Sequence, residues 1–205
     1  MIEKLSFSLG RNDEEPNIEL AKELTKTKNK KGIKEIVDGL NNPKERIAND
    51  CIKVLYEIAE ISPELVSEYA GNFIHLLKSK NNRLVWGSMT ALSKIVSINS
   101  DEIFKNLDII VEAYKKGSVI TVDNSISVFA ELVKADKKYE KKIFPIIIEH
   151  FEKCRPKEVA QHAERAFVCV NKNNLQKYKE VLLKRRGSLT DAQKKRVDKL
   201  LNKLK

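Results

Sequence analysis

Large apolar residues in this chain recur in columns 37 residues apart, and that recurrence is the strongest structural signal the sequence carries. Leu40, Leu77, Tyr114 and Phe151 form one column, each the last large apolar residue before a polar break. Phe73, Ile110 and Ile147 form another, with Ile36 one period earlier; Ile74, Val111 and Ile148 run beside it, with Val37 earlier. Within one period Leu107, Ile110, Val111 and Tyr114 fall at i, i+3, i+4 and i+7, one face of an α-helix. A preceding helix repeats with the same spacing through Leu55, Leu92 and Phe129, then Ile58, Ile95 and Leu132, then Ala59, Val96, Val133 and Val170. Four residues before the first of these lies a column of small side chains, Cys51, Ser88 and Ser125, which would let neighbouring helices approach closely.

Each period therefore reads as two amphipathic helices joined by a short polar turn, and neither can bury its apolar stripe except against the next unit. The pattern predicts an all-α fold, a right-handed α-solenoid of about five helical hairpins with a C-terminal capping helix, in a single domain over residues 1–205. Repeats are expected at 16–41, 43–78, 81–115, 118–152 and 156–186, the cap at 190–204, and a frayed segment at 1–15, where no period is visible. Asn42, Pro43 and Glu45, and again Ser62 and Pro63, look like helix starts. Gly117 and Gly187 look like breaks, and Thr190 with Gln193 has capping-box spacing, opening a last helix with Val197, Leu200, Leu201 and Leu204 inward.

The first helices carry Ile47, Cys51, Val54, Leu55 and Ile58, and likewise Leu84, Ser88, Ala91, Leu92 and Ile95. This large, small, small, large, large spacing resembles the HEAT-repeat family over roughly residues 16–186, although Ala48, Val85 and Val122 stand where that family often has arginine. The resemblance implies an interaction scaffold whose second helices line a concave face. On those helices Lys105 and Lys142 share one row with Lys31 and Glu68, and Glu112 and Glu149 share another with Asp38 and His75. A groove of such mixed charge suits a protein or peptide better than a nucleic-acid duplex. Ile109 and Ile146, between the rows, are either an exposed apolar hot spot or, as the favoured reading, contacts between adjacent repeats.

Composition adds a second candidate. The formal net charge is +10, and residues 171–205 hold 12 basic and three acidic residues, a net +9. Lys184, Arg185, Arg186, Lys194, Lys195 and Arg196 in that stretch are candidate contacts to nucleic acid, or else a solvated helical cap. Trp86, the sole tryptophan, belongs to a column with Asn49, Asp123 and Ala160; it is either a partner anchor or a ring wedged between repeats.

His150, Cys154 and His162 match no strong zinc signature and are read as packing and surface residues, so no metal or cofactor is expected. Catalytic motifs are absent: no phosphate-binding glycine loop, no nucleophile elbow, no histidine pair on one helical turn. A DNA-repair glycosylase, suggested by a family built on HEAT-like repeats, stands as a third and weaker reading on fold alone. No apolar stretch reaches the roughly 20 residues of a membrane span, no secretory signal is visible, and Cys51, Cys154 and Cys169 are an odd, scattered set. The expectation is a cytoplasmic, non-enzymatic scaffold for a protein or peptide, with nucleic acid as the alternative and no small-molecule ligand implied.

Overall fold

The computed structural model describes residues 1–204; Lys205, counted in the basic terminus, lies outside them. Among the described residues all regular structure is helical, and no helix is long and apolar enough to cross a membrane. The packing divides into two units, Met1–Ser125 and a second from Ile126 onward, with the boundary inside one helix.

The first unit holds α1 (Glu15–Thr27), α2 (Lys30–Asp38), α3 (Glu45–Ile61), α4 (Ala70–Leu76), α5 (Asn82–Lys105), α6 (Leu107–Lys116) and the start of α7 (Val119–Ala135). The expected apolar columns are its core: Cys51, Leu55, Ile58, Ser88, Leu92, Ile95 and Phe73 are all fully buried. The first helices of successive repeats lie side by side, α3 against both α1 and α5, while α2 packs onto α3 and α4 onto α5. Close approach of α3 and α5 depends on Gly87, where an added Cβ would lie 2.6 Å from Ile52 Cγ1.

Between first and second helix the structure adds a third short segment that a two-helix reading of the period does not contain. It is a pair of 3-10 turns at Pro63–Leu65 and Ser67–Tyr69 after α3, and the arm of α5 beyond a kink at Asn99 (φ −118°, ψ 28°). Within residues 1–15, expected to fray, residues 5–7 are tied to the core. Leu5 is fully buried, the Ser6 amide donates to Asn17 Oδ1 (3.0 Å), and the Phe7 amide donates to Asp50 Oδ2 (2.8 Å).

The second unit holds the rest of α7, α8 (Glu140–Lys153), α9 (Pro156–Ala166), α10 (Leu175–Arg186) and α11 (Asp191–Asn202). Its α9 packs on α8, α10 and α11, and α8 packs on α10. The Tyr178 hydroxyl donates to Ala163 O (2.7 Å) in the core, with its ring edge-on to Phe151. At α11 the Thr190 amide donates to Gln193 Oε1 (2.9 Å) and the Gln193 amide to Thr190 Oγ1 (3.4 Å), the reciprocal cap that the spacing implies. Val197 and Leu200 point inward as expected, whereas Leu201 and Leu204 stay half-exposed.

Two substitutions test the close approach. Gly87→Val drives a branched side chain into Ile52 and is expected to cost about 1–3 kcal/mol, read as a lowered urea midpoint. Ser88→Ala removes a buried hydroxyl that has no hydrogen-bond partner, and is expected to leave the midpoint unchanged or raise it.

Candidate functional site

Side-by-side packing of the first helices brings two rows of polar side chains together on the first unit. On α3, Asn49, Lys53, Tyr56 and Glu60 follow one another at helical spacing; on α5, Arg83, Trp86, Thr90 and Lys94 do the same. The two rings at the centre, Trp86 and Tyr56, lie 5.5 Å apart at an interplanar angle of 47°, both half-buried. The Arg83 guanidinium sits over Trp86 at 5.2 Å and the Lys53 ammonium over Tyr56 at 4.9 Å, so both rings carry a cation on their faces.

Glu14, preceding α1, binds both cations: it is ion-paired with Arg83 and, at 3.0 Å, with Lys53, which also reaches Glu57 at 2.7 Å. Burial would raise the Glu14 pKa, but hydrogen bonds from Arg83 and Lys53 outweigh it and hold the carboxyl below its usual range. Burial likewise works against the Lys53 ammonium, whose side chain is only 8% exposed, and bonds to Glu57 and Glu14 reverse the effect and raise its pKa. Burial pushes the Tyr56 phenol up, so it stays a neutral hydrogen-bonding group.

Amide and hydroxyl groups complete the lateral stitching. Asn81 Nδ2 donates to Asn49 Oδ1 (2.8 Å), Asn124 Nδ2 to Thr90 Oγ1 (2.9 Å), and Lys94 pairs with Glu60. Beside the rings, Phe7, Arg46, Asn49, Asp50 and Arg83 line an open cleft in which Arg46 lies over the Phe7 ring at 4.9 Å. Arg46, Lys53, Arg83 and Lys94 are matched in number by Glu14, Asp50, Glu57 and Glu60, so the face has little net charge. Its carboxylates are already neutralised by cations or amides, which suits binding and does not favour proton transfer.

The other candidate residues are placed differently. Lys105 is exposed at the end of α5, and Glu112 on α6 pairs with Lys116 of its own helix (2.7 Å), which lowers its pKa. On α8, Lys142 is exposed and Glu149 pairs with Lys153 (2.5 Å). Ile109 and Ile146 are half-buried. The carboxylates expected to line a groove on the second helices are thus held by ordinary intrahelical pairs.

The basic terminus is occupied by its own fold. Arg185 donates to the Phe151 and Cys154 carbonyls, which finishes α8; Arg186 forks onto Asp198, Arg196 onto Glu164, and Lys194 pairs with Asp191. Lys184 and Lys195 are exposed. Most of the cluster expected to track phosphates therefore has a structural partner. Asp123 shares the Trp86 column in the first unit, and Ala160, at the same repeat position, is buried in the second.

Tyr56, Arg83, Lys53 and Glu14 are not among the binding candidates that the sequence offers. A signal was present for one: Arg83 lies one period after Arg46, and each caps an aromatic ring. Cys51 and Cys169 are buried, and burial pushes both thiols up to about 12; the Cys169 thiol donates to Ala166 O (3.0 Å).

The Glu14 pairing has a pH signature. A carboxyl whose folded pKa lies below its ordinary 4.5 contributes stability that is present above that value and lost as pH falls through the folded one. Because Glu14 is 42% exposed, the contribution is about 0.5–1 kcal/mol. The stability deficit of Glu14→Gln relative to wild type is expected at neutral pH and should close in acid, in thermal melts run across that range.

No protein-family model and no curated protein matches the chain. Its backbone is similar to solved structures of designed proteins. A designed armadillo repeat protein has a TM-score of 0.69 at 13% identity, covering 94% of this chain and 93% of its own. A computationally designed armadillo repeat protein for modular peptide recognition gives 0.69 at 13% identity, covering 92% and 91%. An engineered protein gives 0.65 at 17% identity, covering 99% and 96%. At such identities the likeness concerns the fold, and that fold is an armadillo-like helical repeat; membership of the HEAT family itself does not follow.

Proposed function

We propose that this chain is a peptide-binding scaffold that receives an extended segment across the first-helix face of its first unit. The observation that carries this reading is the Trp86–Tyr56 platform, held by Arg83, Lys53 and Glu14 on two closely packed helices. A preset, tilted aromatic pair offers a side-chain anchor at little entropic cost. Thr90 lies one turn beyond Trp86 on α5, and the Asn49 amino group and Asn124 carbonyl oxygen, which the lateral bonds to Asn81 and Thr90 do not use, can meet main-chain groups that any peptide has. The likeness to armadillo repeat proteins designed for peptide recognition supports the same class of partner.

This reading moves the binding face from the second helices, where Lys105, Glu112, Lys142 and Glu149 had been candidates, to the first. It also demotes the nucleic-acid alternative, because Arg185, Arg186, Lys194 and Arg196 already serve the fold. A glycosylase would need a free acid within a basic surface, and the acids near Trp86 are paired on a face of balanced charge.

Peptides selected from a random display library against the folded protein test this directly. Selected sequences are expected to change the fluorescence of Trp86, and Trp86→Ala is expected to weaken them by about 30-fold, the ~2 kcal/mol of a binding hot spot. Peptides that bind Trp86→Ala undiminished, or that respond instead to charge reversal at Lys105 and Glu112, would return the binding face to the second helices.

A further inference from the structure

The second unit contains a side-chain cluster that the peptide-binding face does not use. Helix α8 ends at Lys153 and α9 begins at Pro156, so the chain reverses within two residues and brings His150, Cys154 and His162 to one corner. His150 Nε2 and His162 Nδ1 are 2.7 Å apart and share a hydrogen bond. The nitrogen and sulfur atoms that these three residues could offer a cation all lie within 4.8 Å of one another. Both histidines are buried and Cys154 is half-buried, which leaves the sulfur side as the route of entry.

We propose that His150, Cys154 and His162 form a binding site for a zinc-class divalent cation, with two imidazole nitrogens and one thiolate as ligands and water in the fourth position. Imidazole with thiolate is the donor set that zinc takes in preference to magnesium or calcium. Tetrahedral zinc with ordinary bond lengths needs ligand atoms about 3.3–3.6 Å apart. The nitrogen pair must therefore open by roughly half an ångström and the sulfur must close in, movements within the range of side-chain rotation.

The backbone beneath is held firmly enough to keep the ligands in place. Arg185 binds the Phe151 and Cys154 carbonyls, the Arg155 amide donates to Glu158 Oε2 (3.1 Å), and Tyr178 ties α10 to the Ala163 carbonyl. Two charges flank the cluster: the Arg185 guanidinium at the Cys154 carbonyl, and the Glu158 carboxylate one turn before His162.

Binding rearranges protons in a defined way. The hydrogen on the Nε2···Nδ1 line must leave it, and the ring that donated it becomes protonated at its other nitrogen, so both imidazoles stay neutral. Cys154 loses its thiol proton to solvent as the sulfur–metal bond forms. One proton is released per ion, with no change of oxidation state.

Cobalt titrated into the full-length, reduced, chelator-treated protein tests the site, because a thiolate–cobalt bond absorbs in the near ultraviolet. One cobalt per chain is expected, with a charge-transfer band that zinc abolishes. Cys154→Ser should remove the band and weaken zinc at least tenfold, and His162→Gln should weaken it similarly. A folded protein, checked by circular dichroism, that develops no such band would overturn the proposal. So would a band that persists in Cys154→Ser, which would assign the thiolate to Cys51 or Cys169. If His162→Gln fails to fold, the Cys154→Ser comparison decides alone, since that side chain is half-exposed.

Discussion

The close approach of α3 and α5 is the constraint on which the first unit depends. A backbone that has no room for a Cβ at Gly87 sets the helices near enough that Cys51 and Ser88 disappear completely from solvent. Burial of Leu55, Ile58, Leu92 and Ile95 then supplies about 1.5–3 kcal/mol per side chain before conformational entropy is counted. The same proximity governs the outer face. Polar side chains of α3, of α5 and of the residues that precede α1 and α5 come within reach of one another, and they meet as Glu14 with Lys53 and Arg83, Glu60 with Lys94, and Asn49 with Asn81. A face stitched laterally in this way is preorganised, so little side-chain freedom is left to lose when something binds to it.

Much of this was legible in the residues. The 37-residue period marks which side chains repeat as core, because a buried position tolerates few replacements in any repeat, and the columns through Leu55, Leu92 and Phe129 are buried throughout. The Cys51, Ser88 and Ser125 column also marked the tightly packed helix row, since only small side chains permit that spacing. What the period cannot convey is which exposed row carries a site. Trp86 and Tyr56 belong to different columns, and their pairing depends on the angle between α3 and α5.

Other misses have equally specific causes. Residues 1–15 lack the period because they do not form a hairpin, yet Leu5 fills a core position and Asp50 binds the Phe7 amide across 43 residues of chain. The basic terminus looked available because Glu164 lies 32 residues from the Arg196 it binds, because a net charge does not say that Asp198 forks onto Arg186, and because backbone carbonyls as partners for Arg185 leave no trace in composition. The meeting of His150 and His162 follows from a reversal of the chain between α8 and α9, whose tightness is set by Pro156 and the Arg155–Glu158 cap. Spacing along one helix contains no such information.

A face of balanced charge, with carboxylates already paired, derives selectivity from shape, aromatic contact and amide geometry more than from long-range attraction. The central claim is therefore that a bound peptide touches the one tryptophan of the chain. The most direct measurement is the indole N–H resonance of Trp86 in a proton–nitrogen correlation spectrum, followed during titration with a library-selected peptide. That resonance is expected to shift in step with amides of residues 46–60 and 83–94. An unmoved indole, with shifts confined to residues 105–116 or 140–153, would contradict it.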